Sequence, residues 1–253
     1  MLNPRIIPVL LVHEKGLVKT VKFKDHKYVG DPLNAVRIFN EKEADELVVL
    51  DIDATVEGRD PDIEMIGNLA SECRMPLCYG GGVKTLEQAK TILGLGVEKV
   101  AFSSLFFEQP ELLTRLAEQV GSQSVVVVLD VKKKLFSGYE CYVHNGQKRT
   151  KISPIKAAIL AESIGVGEIV INSIDCDGMM TGYDLDLINQ IKSAVAVPIT
   201  AIGGAGSHDD ICKLIQQEGI IGAAAGSLFV FKGKYRAVLI SYPNRNEKEL
   251  ILS

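Results

Sequence analysis

The sequence predicts an α/β fold, a (βα)8 or TIM barrel that spans residues 1–253 as a single domain. The chain of 253 residues has the usual length of one such barrel. Eight short apolar runs alternate with amphipathic helical stretches, which favours parallel strands joined by helices. The two halves of the chain also repeat each other, so we expect a barrel built from two half-barrels.

The predicted strands are almost continuously apolar rather than alternating, as is typical of parallel strands buried on both faces. We place them at residues 6–12, 46–51, 76–79, 99–103, 124–130, 168–172, 198–201 and 221–225. The amphipathic stretches between them predict helices at residues 32–42, 86–93, 110–119, 154–163, 185–193 and 209–217.

Two connections are longer than the others. One covers residues 13–30, after the first strand, and the other covers residues 132–150, after the fifth, where residues 139–144 predict a small hairpin. Long loops in a compact domain are usually functional. In a barrel both would lie at the C-terminal face, where active sites form.

The internal repeat is visible in short segments at matching places in the two halves. Three pairs of segments correspond: 76–82 with 198–204, 100–106 with 223–229, and 9–12 with 128–131. A duplicated half-barrel explains this pattern most economically, and it allows one half to be compared with the other.

The bulk composition predicts a protein of the cytoplasm. Hydrophobic residues make up 47% of the chain, the net charge is −4 and the isoelectric point is about 5.7, which argues against a nucleic-acid partner. The first apolar run is too short for a membrane span and lacks a signal-peptide cleavage site. Five scattered cysteines predict free thiols: Cys73, Cys78, Cys141, Cys176 and Cys212.

Each half of the chain has a glycine cluster after its third strand and a small turn after its fourth. Glycine lets the backbone approach an anion closely, and the following helix directs free N–H groups towards it. The first predicted phosphate cradle contains Gly81, Gly82 and Ser104, and the second contains Gly203, Gly204, Gly226 and Ser227. The alternative is that these glycines only form tight turns. Two cradles would hold a long ligand with an anionic group at each end.

Several motifs together resemble the cyclase subunit of imidazole glycerol phosphate synthase over essentially the whole chain. They include the sequence Arg-Ile-Ile-Pro at 5–8, Gly-Asp-Pro at 30–32, Tyr-Gly-Gly-Gly at 79–82, Asp130, Gly-Tyr-Asp at 182–184 and Gly-Gly-Ala-Gly at 203–206. The resemblance implies a barrel that docks a glutaminase subunit on its N-terminal face. It also implies that ammonia crosses the barrel to react with a bis-phosphorylated substrate, with two aspartates as general acid and base and no cofactor.

The same resemblance implies a ring of four charges at the entrance to the ammonia channel. Arg5, Glu46, Lys99 and Glu168 occupy those positions, each at the start of a strand. The alternative is a stabilising salt-bridge layer without a channel, because residues at this face usually serve stability. Lys19, in the first long loop, matches a residue that would meet the anionic end of the substrate.

The mouth of the barrel departs from the family pattern. The aspartate of the first strand is Leu11 here, and the internal repeat places Leu11 where Asp130 stands in the second half. Four further residues at the same rim differ from the family pattern, whereas the charged ring and the phosphate cradles match it. The four residues are Ser103, Cys176, Met179 and Ile202. A leucine cannot transfer protons, and each acid–base step typically contributes about 10²–10⁴-fold to a rate.

These departures favour a paralogue of the histidine enzyme, similar to proteins that accompany sugar amidotransferases and form acetamidino groups on surface polysaccharides. The expected partners are a glutaminase, a sugar amidotransferase and a phosphorylated small molecule. Two alternatives remain: a genuine cyclase of histidine biosynthesis, and a barrel without catalysis that activates its glutaminase.

The remaining candidates are carboxylates. Asp130 is the candidate for a surviving acid or base, or else it organises the loop after the fifth strand. Asp51 and Asp177 are candidate supporting groups at the substrate loops, each with a structural role as the alternative. The four histidines are isolated from other ligand residues, so the sequence predicts no metal site.

Overall fold

The computed structural model describes residues 3–252 and contains the predicted α/β barrel. Each strand pairs with its neighbour in parallel, and the first pairs with the last, so the sheet closes. The barrel strands are β1 (Arg5–His13), β2 (Leu47–Asp51), β3 (Leu77–Gly80), β4 (Lys99–Phe102), β5 (Val125–Lys133), β6 (Glu168–Ser173), β7 (Ile199–Ile202) and β8 (Gly222–Ala225).

Helices cover the outside of the barrel between these strands. They are α1 (Pro32–Glu41), α2 (Ile63–Glu72), α3 (Leu86–Gly94), α4 (Ser104–Glu108), α5 (Pro110–Val120), α6 (Pro154–Ser163), α7 (Leu185–Lys192), α8 (His208–Glu218), α9 (Ser227–Val230) and α10 (Arg245–Leu252), with a 3₁₀ turn at Ser122–Ser124. Pro32, Pro110 and Pro154 each open a helix, where the missing N–H of proline has no cost.

The predicted strands and helices are confirmed, whereas α2, α4, α9 and α10 were not among the predicted helices. The small hairpin predicted at residues 139–144 is instead a single strand, Tyr139–Val143. Two further segments also differ from the prediction. β5 continues to Lys133, beyond the predicted end at residue 130, because this extension pairs with Tyr139–Val143. The long first loop folds into a hairpin of Gly16–Val21 and Lys24–Gly30, which pairs with the end of β1. The apolar and polar pattern of the sequence did not predict this hairpin, because its second strand is largely exposed.

The hydrophobic core has two concentric parts. Side chains of a strand point alternately to its two faces, so Ile6 and Leu10 pack under the helices while Ile7 and Val9 point into the barrel. The inner part fills the lumen with small and branched side chains: Ile7, Val9, Val48, Cys78, Ala101, Val126, Val128, Val170 and Ala224. This apolar interior separates the two polar ends of the barrel.

No helix within residues 3–252 combines the length and the apolar character that a membrane span requires.

Candidate active site

A cavity of about 300 Å³ opens at the carboxyl ends of the barrel strands. This is the end at which the active sites of such barrels form. Every predicted cradle and loop residue borders it: Gly81, Gly82, Ser104, Gly203, Gly204, Gly226, Ser227, Lys19, Asp51, Asp177 and Asp130. The structure therefore brings the candidates from both halves of the chain to one place, as the sequence predicts.

Asp130 is a buried carboxylate in the wall of this cavity. Its Oδ1 accepts a hydrogen bond of 2.9 Å from the Asn172 side-chain amide, and its Oδ2 accepts one of 3.2 Å from the Ser103 hydroxyl. Burial raises the pKa of Asp130 from 3.8 to about 7, because removal from water disfavours the charged form more than these two hydrogen bonds favour it. A carboxyl group with such a pKa can both accept and donate a proton near neutrality.

Asn172 is a site residue that the sequence reasoning did not identify. It lies directly opposite Asp130 in the register of β5 and β6. A polar residue that ends an otherwise apolar strand, as Asn172 does in the predicted strand 168–172, is the signal that could have indicated it.

Leu11 faces the same cavity from β1. Three strands lie between β1 and β5 in either direction around the barrel, so Leu11 and Asp130 lie on opposite walls. Leu50 and Ile202 also line the cavity and pack against the inner core. The part of the wall formed by Leu11 and Leu50 is therefore apolar, and the described residues of β1 contain no acid in place of the strand-one aspartate.

Lys19 projects from the first hairpin into the top of the barrel and is buried. Its ammonium donates to the backbone carbonyl of Val9, and burial lowers its pKa to about 8. An ideal Cβ on Gly226 would lie 2.8 Å from the Lys19 Nζ, so a side chain at this position would displace the end of Lys19. Lys19 thus brings a cation to the second cradle.

Asp177 holds the first hairpin over the cavity. Its Oδ2 accepts hydrogen bonds from the Thr20 hydroxyl at 2.7 Å and from the Phe23 amide at 3.1 Å. Burial raises the pKa of Asp177, and these two hydrogen bonds together with the nearby Lys19 oppose the rise. These contacts match the structural alternative for Asp177 and place it beside Lys19.

The glycines of the first cradle lie close to the backbone of neighbouring loops. Gly81 has φ +118°, and a Cβ there would lie 2.3 Å from the carbonyl oxygen of Asp51. Asp51 itself uses its Oδ1 to accept from the amides of Asp53 and Ala54, both at 2.9 Å. Asp51 therefore organises the loop after β2, in agreement with its structural alternative.

The second cradle repeats this arrangement. Gly203 and Gly204 have φ of +93° and +111°, and a Cβ on Gly204 would lie 2.0 Å from the carbonyl oxygen of Gly182. Gly226 and Ser227 begin the short helix α9, as Ser103 and Ser104 begin α4 in the first cradle. The first-turn amides of such helices have no partner within the helix and are available to an anion.

The loop after β5 contributes two further residues to the first cradle. His144 and Asn145 line the cavity, and the His144 amide donates to the Ser104 hydroxyl at 3.1 Å. The His144 ring contacts Glu108 at 3.2 Å. In the sequence His144 is isolated from other ligand residues, because its contacts with α4 form only on folding.

At the opposite end of the barrel, the four predicted ring residues meet. Glu168 accepts from Arg5 Nη2 at 2.7 Å and from Lys99 Nζ at 2.8 Å, while Glu46 accepts from Lys99 Nζ at 2.7 Å and also bonds Arg5. Each charge contacts both charges of the other sign, so the ring is closed. The two cations lower the pKa of Glu168 in spite of its burial.

Thr200 is a fifth member of this layer that the sequence reasoning missed. Its hydroxyl donates to Glu168 and lies 3.3 Å from Arg5 Nη2. A Cβ on Gly222 would lie only 1.9 Å from the Thr200 Oγ1, so the glycine that starts β8 makes room for the hydroxyl. A lone polar residue within the short apolar strand at 198–201 is the sequence signal for it.

Across residues 3–252, no group of three or more His, Cys, Asp or Glu side chains is placed to hold a metal ion.

The fold and the site define the class: a (βα)8-barrel protein with a closed ring of charges at one end and a glycine-rimmed cavity at the carboxyl ends of its strands. The sequence model of the family described as Histidine biosynthesis protein matches residues 5–236. The chain therefore belongs to this family, and within it to the HisF-like subunits of imidazole glycerol phosphate synthase.

Individual relatives support this placement. A protein of Vibrio vulnificus (strain YJ016), provisionally named imidazole glycerol phosphate synthase subunit hisF3, is 62% identical over 253 residues, which is 100% of this chain and 97% of the relative. A Pseudomonas aeruginosa protein, provisionally named subunit hisF2, is 51% identical over 99% of this chain and 100% of the relative. The imidazole glycerol phosphate synthase subunit HisF of Dehalococcoides mccartyi is 38% identical over 93% of this chain and 92% of the relative.

Proposed function

We propose that this chain is the synthase-type subunit of a glutamine amidotransferase complex, which receives ammonia from a glutaminase at its N-terminal face and carries it to the C-terminal mouth. The closed ring of Arg5, Glu46, Lys99 and Glu168 is the single observation that supports this proposal best. A barrel that only needed a stable floor could be closed with apolar side chains, which are at least as stabilising as a buried ion-pair network.

The lumen above the ring supports the same proposal. Small side chains such as Cys78, Ala101 and Ala224 line it between the ring and the cavity. A breathing motion of these side chains opens a path for a molecule as small as ammonia.

The mouth of this proposed channel binds a phosphorylated ligand at the two cradles. Gly81, Gly82 and Ser104 form one cradle, and Gly203, Gly204, Gly226 and Ser227 form the other. Lys19 supplies positive charge to the second cradle from inside the barrel. Titration with inorganic phosphate and with a bis-phosphorylated sugar tests this binding, and an equal affinity for an uncharged sugar would contradict it.

We further propose that the acceptor of the ammonia differs from the substrate of the histidine enzyme. Leu11 leaves Asp130 without the second carboxylate that the cyclase reaction uses in the related family. Four relatives at 51–62% identity have provisional names, two of them numbered hisF2 and hisF3, whereas four relatives named HisF without that reservation are 38–40% identical. This division favours a paralogue that serves a sugar amidotransferase in the formation of acetamidino groups.

The assay that tests this part supplies free ammonia and the bis-phosphorylated substrate of the histidine enzyme. We expect turnover at least about 10²-fold below that of an ordinary cyclase, because one acid–base group is lost. Turnover equal to that of an ordinary cyclase would instead establish the second candidate, a genuine imidazole glycerol phosphate synthase. The retained Asp130, with a pKa of about 7, is the observation that favours that candidate.

The Leu11→Asp variant gives a matched comparison. If the strand-one carboxylate is the only catalytic loss, the variant gains cyclase activity. If the variant gains none, the apolar rim is adapted to another ligand. Incorporation of amide nitrogen from labelled glutamine into an acetamidino sugar then separates the proposed role from that of a barrel that only activates its glutaminase.

A further inference from the structure

Three hairpin segments surround the opening of the cavity, and together we call them the basic collar: residues 14–30, 132–151 and 231–238. The first follows β1, the second follows β5, and the third follows the short helix after β8, so all three lie at the C-terminal face. They contain 14 of the 28 Lys and Arg residues of the chain but 3 of its 32 Asp and Glu residues. The rest of the chain is strongly acidic.

The cations of the collar are available to a partner. Apart from the buried Lys19 and the half-buried Arg236, all of its Lys and Arg residues are exposed. Of its three acids, Glu140 is already bonded to Arg149. A net charge of −4 for the whole chain therefore conceals a face with a large positive charge.

Contacts between the segments make the collar continuous. The Lys27 Nζ in the first segment donates to the backbone carbonyl of Arg236 in the third at 2.8 Å. The ring of Phe23 in the first segment packs against Gly146 in the second, where a Cβ would lie 3.0 Å from that ring. Phe23 also lines the cavity, so the collar borders the mouth directly.

Large apolar side chains project from the same three segments. Leu135 and Phe136, at the tip of the second segment, are essentially fully exposed, and Tyr28 and Tyr235 are 66% and 83% exposed. Lys132, Lys133 and Lys134 come directly before the Leu135–Phe136 tip in the sequence. Exposed aromatic side chains among cations are typical of a surface that a partner covers.

We propose that the basic collar is the docking surface for a protein with an acidic face, namely the enzyme that consumes ammonia delivered at the mouth. This inference rests on the proposed function, because it needs ammonia to leave at the C-terminal end. A protein that sits on the collar covers the cavity and continues the path into its own active site. A lipid bilayer over the same opening would present headgroups and no active site that consumes ammonia, and for that reason we favour a protein.

The experiment measures binding of the sugar amidotransferase from the same organism to the assembled complex of this chain with its glutaminase. The test variant is Lys133→Glu with Lys134→Glu, which reverses two exposed charges in the collar. The control is Lys156→Glu with Lys213→Glu, which makes the same change in charge on exposed positions of α6 and α8. A third variant, Phe136→Ser, removes the apolar tip.

We expect the test variant to raise the Kd by at least about tenfold and the control to change it by less than about twofold. Raising the NaCl concentration from about 50 mM to about 300 mM should weaken the wild-type complex, because exposed charges are screened. Phe136→Ser should weaken it without changing this salt dependence. All three variants change exposed side chains and should retain the wild-type melting temperature.

Three outcomes would overturn the inference. If the amidotransferase binds the test variant and the control equally, it docks elsewhere, and the proposed function is unaffected. If the amidotransferase fails to bind the wild type while glutamine nitrogen still reaches the sugar, only the collar proposal fails. If both binding and nitrogen transfer fail, the proposed function fails as well. Tight binding of the collar to phosphatidylglycerol vesicles or single-stranded DNA, without binding of the amidotransferase, would replace the protein partner with that polyanion.

Discussion

Replacing Glu168 with Gln removes one carboxylate from the closed ring at the bottom of the barrel. Glu168 bonds Arg5 at 2.7 Å, Lys99 at 2.8 Å and the Thr200 hydroxyl, and its own side chain is 7% exposed. The breaking of a buried ion pair costs about 3–5 kcal/mol. Glu46 still bridges the two cations and Arg5 is partly exposed, so we expect the free energy of unfolding to fall by about 2–3 kcal/mol.

The pH dependence of this loss follows from the pKa of Glu168. The two cations lower its pKa in the folded protein below the ordinary value of 4.5. The stabilisation is therefore complete above pH 4.5 and disappears as the pH falls through the lower, folded-state pKa. The difference between wild type and Glu168→Gln should be constant from neutral pH down to about pH 5 and should narrow below about pH 4.

Thermal unfolding followed by circular dichroism measures the effect. For a chain of this size a loss of 1 kcal/mol lowers Tm by about 2–4 °C, so the expected decrease is about 4–12 °C at neutral pH. Glu249→Gln is the control, because its pair with Arg245 is largely exposed and contributes less than about 1 kcal/mol. A decrease below about 1 °C at neutral pH, or a difference that does not narrow in acid, would refute this account of the ring.

Three further predictions concern the cavity. Burial raises the folded-state pKa of Asp130 from 3.8 to about 7, so the wild type loses stability as the pH rises through this interval. The Asp130→Asn variant should lack this loss, so in chemical denaturation its free energy of unfolding should rise relative to that of the wild type by at least about 1 kcal/mol between pH 4 and pH 8. A difference in unfolding free energy that stays constant over this range would contradict the raised pKa. Gly226→Ala would place a Cβ 2.8 Å from Lys19 Nζ. Calorimetric titration with inorganic phosphate should therefore give an affinity about tenfold lower than that of the wild type. An unchanged affinity would show that Lys19 does not contribute to phosphate binding at the second cradle. Gly81→Ala combines φ +118° with a Cβ 2.3 Å from the Asp51 carbonyl oxygen; denaturant unfolding should show a loss of at least about 2 kcal/mol, and a loss near zero would mean that the loop rearranges freely.

The periodic parts of the fold were predictable from the sequence because each barrel strand is apolar on both faces. The strand predicted at residues 168–172 is observed at Glu168–Ser173, and the helix predicted at residues 154–163 is observed with those bounds. Both elements are defined by local patterns, an apolar run in one case and Ser153 followed by Pro154 in the other.

The long-range contacts of the site were less accessible to sequence reasoning. Asn172 and Thr200 acquire their roles from partners on neighbouring strands, and those partners are set by the register of the closed sheet. The contact between the Lys19 ammonium and the carbonyl of Val9 inside the barrel also arises only on folding, and the predicted role of Lys19 towards a ligand stays a prediction. The basic collar was hidden because the net charge of −4 averages the collar with the acidic remainder of the chain.

The apolar lumen between the ring and the cavity has a consequence for charge. A side-chain layer that includes Ile7, Val48, Val126 and Val170 offers no partner to an ion, and transfer of an ion from water into such surroundings costs several kcal/mol. A neutral molecule of the same size loses far less on entering. The interior of the barrel therefore also distinguishes between protonation states, so that any small amine crossing it arrives at the mouth as the free base and hence as a nucleophile.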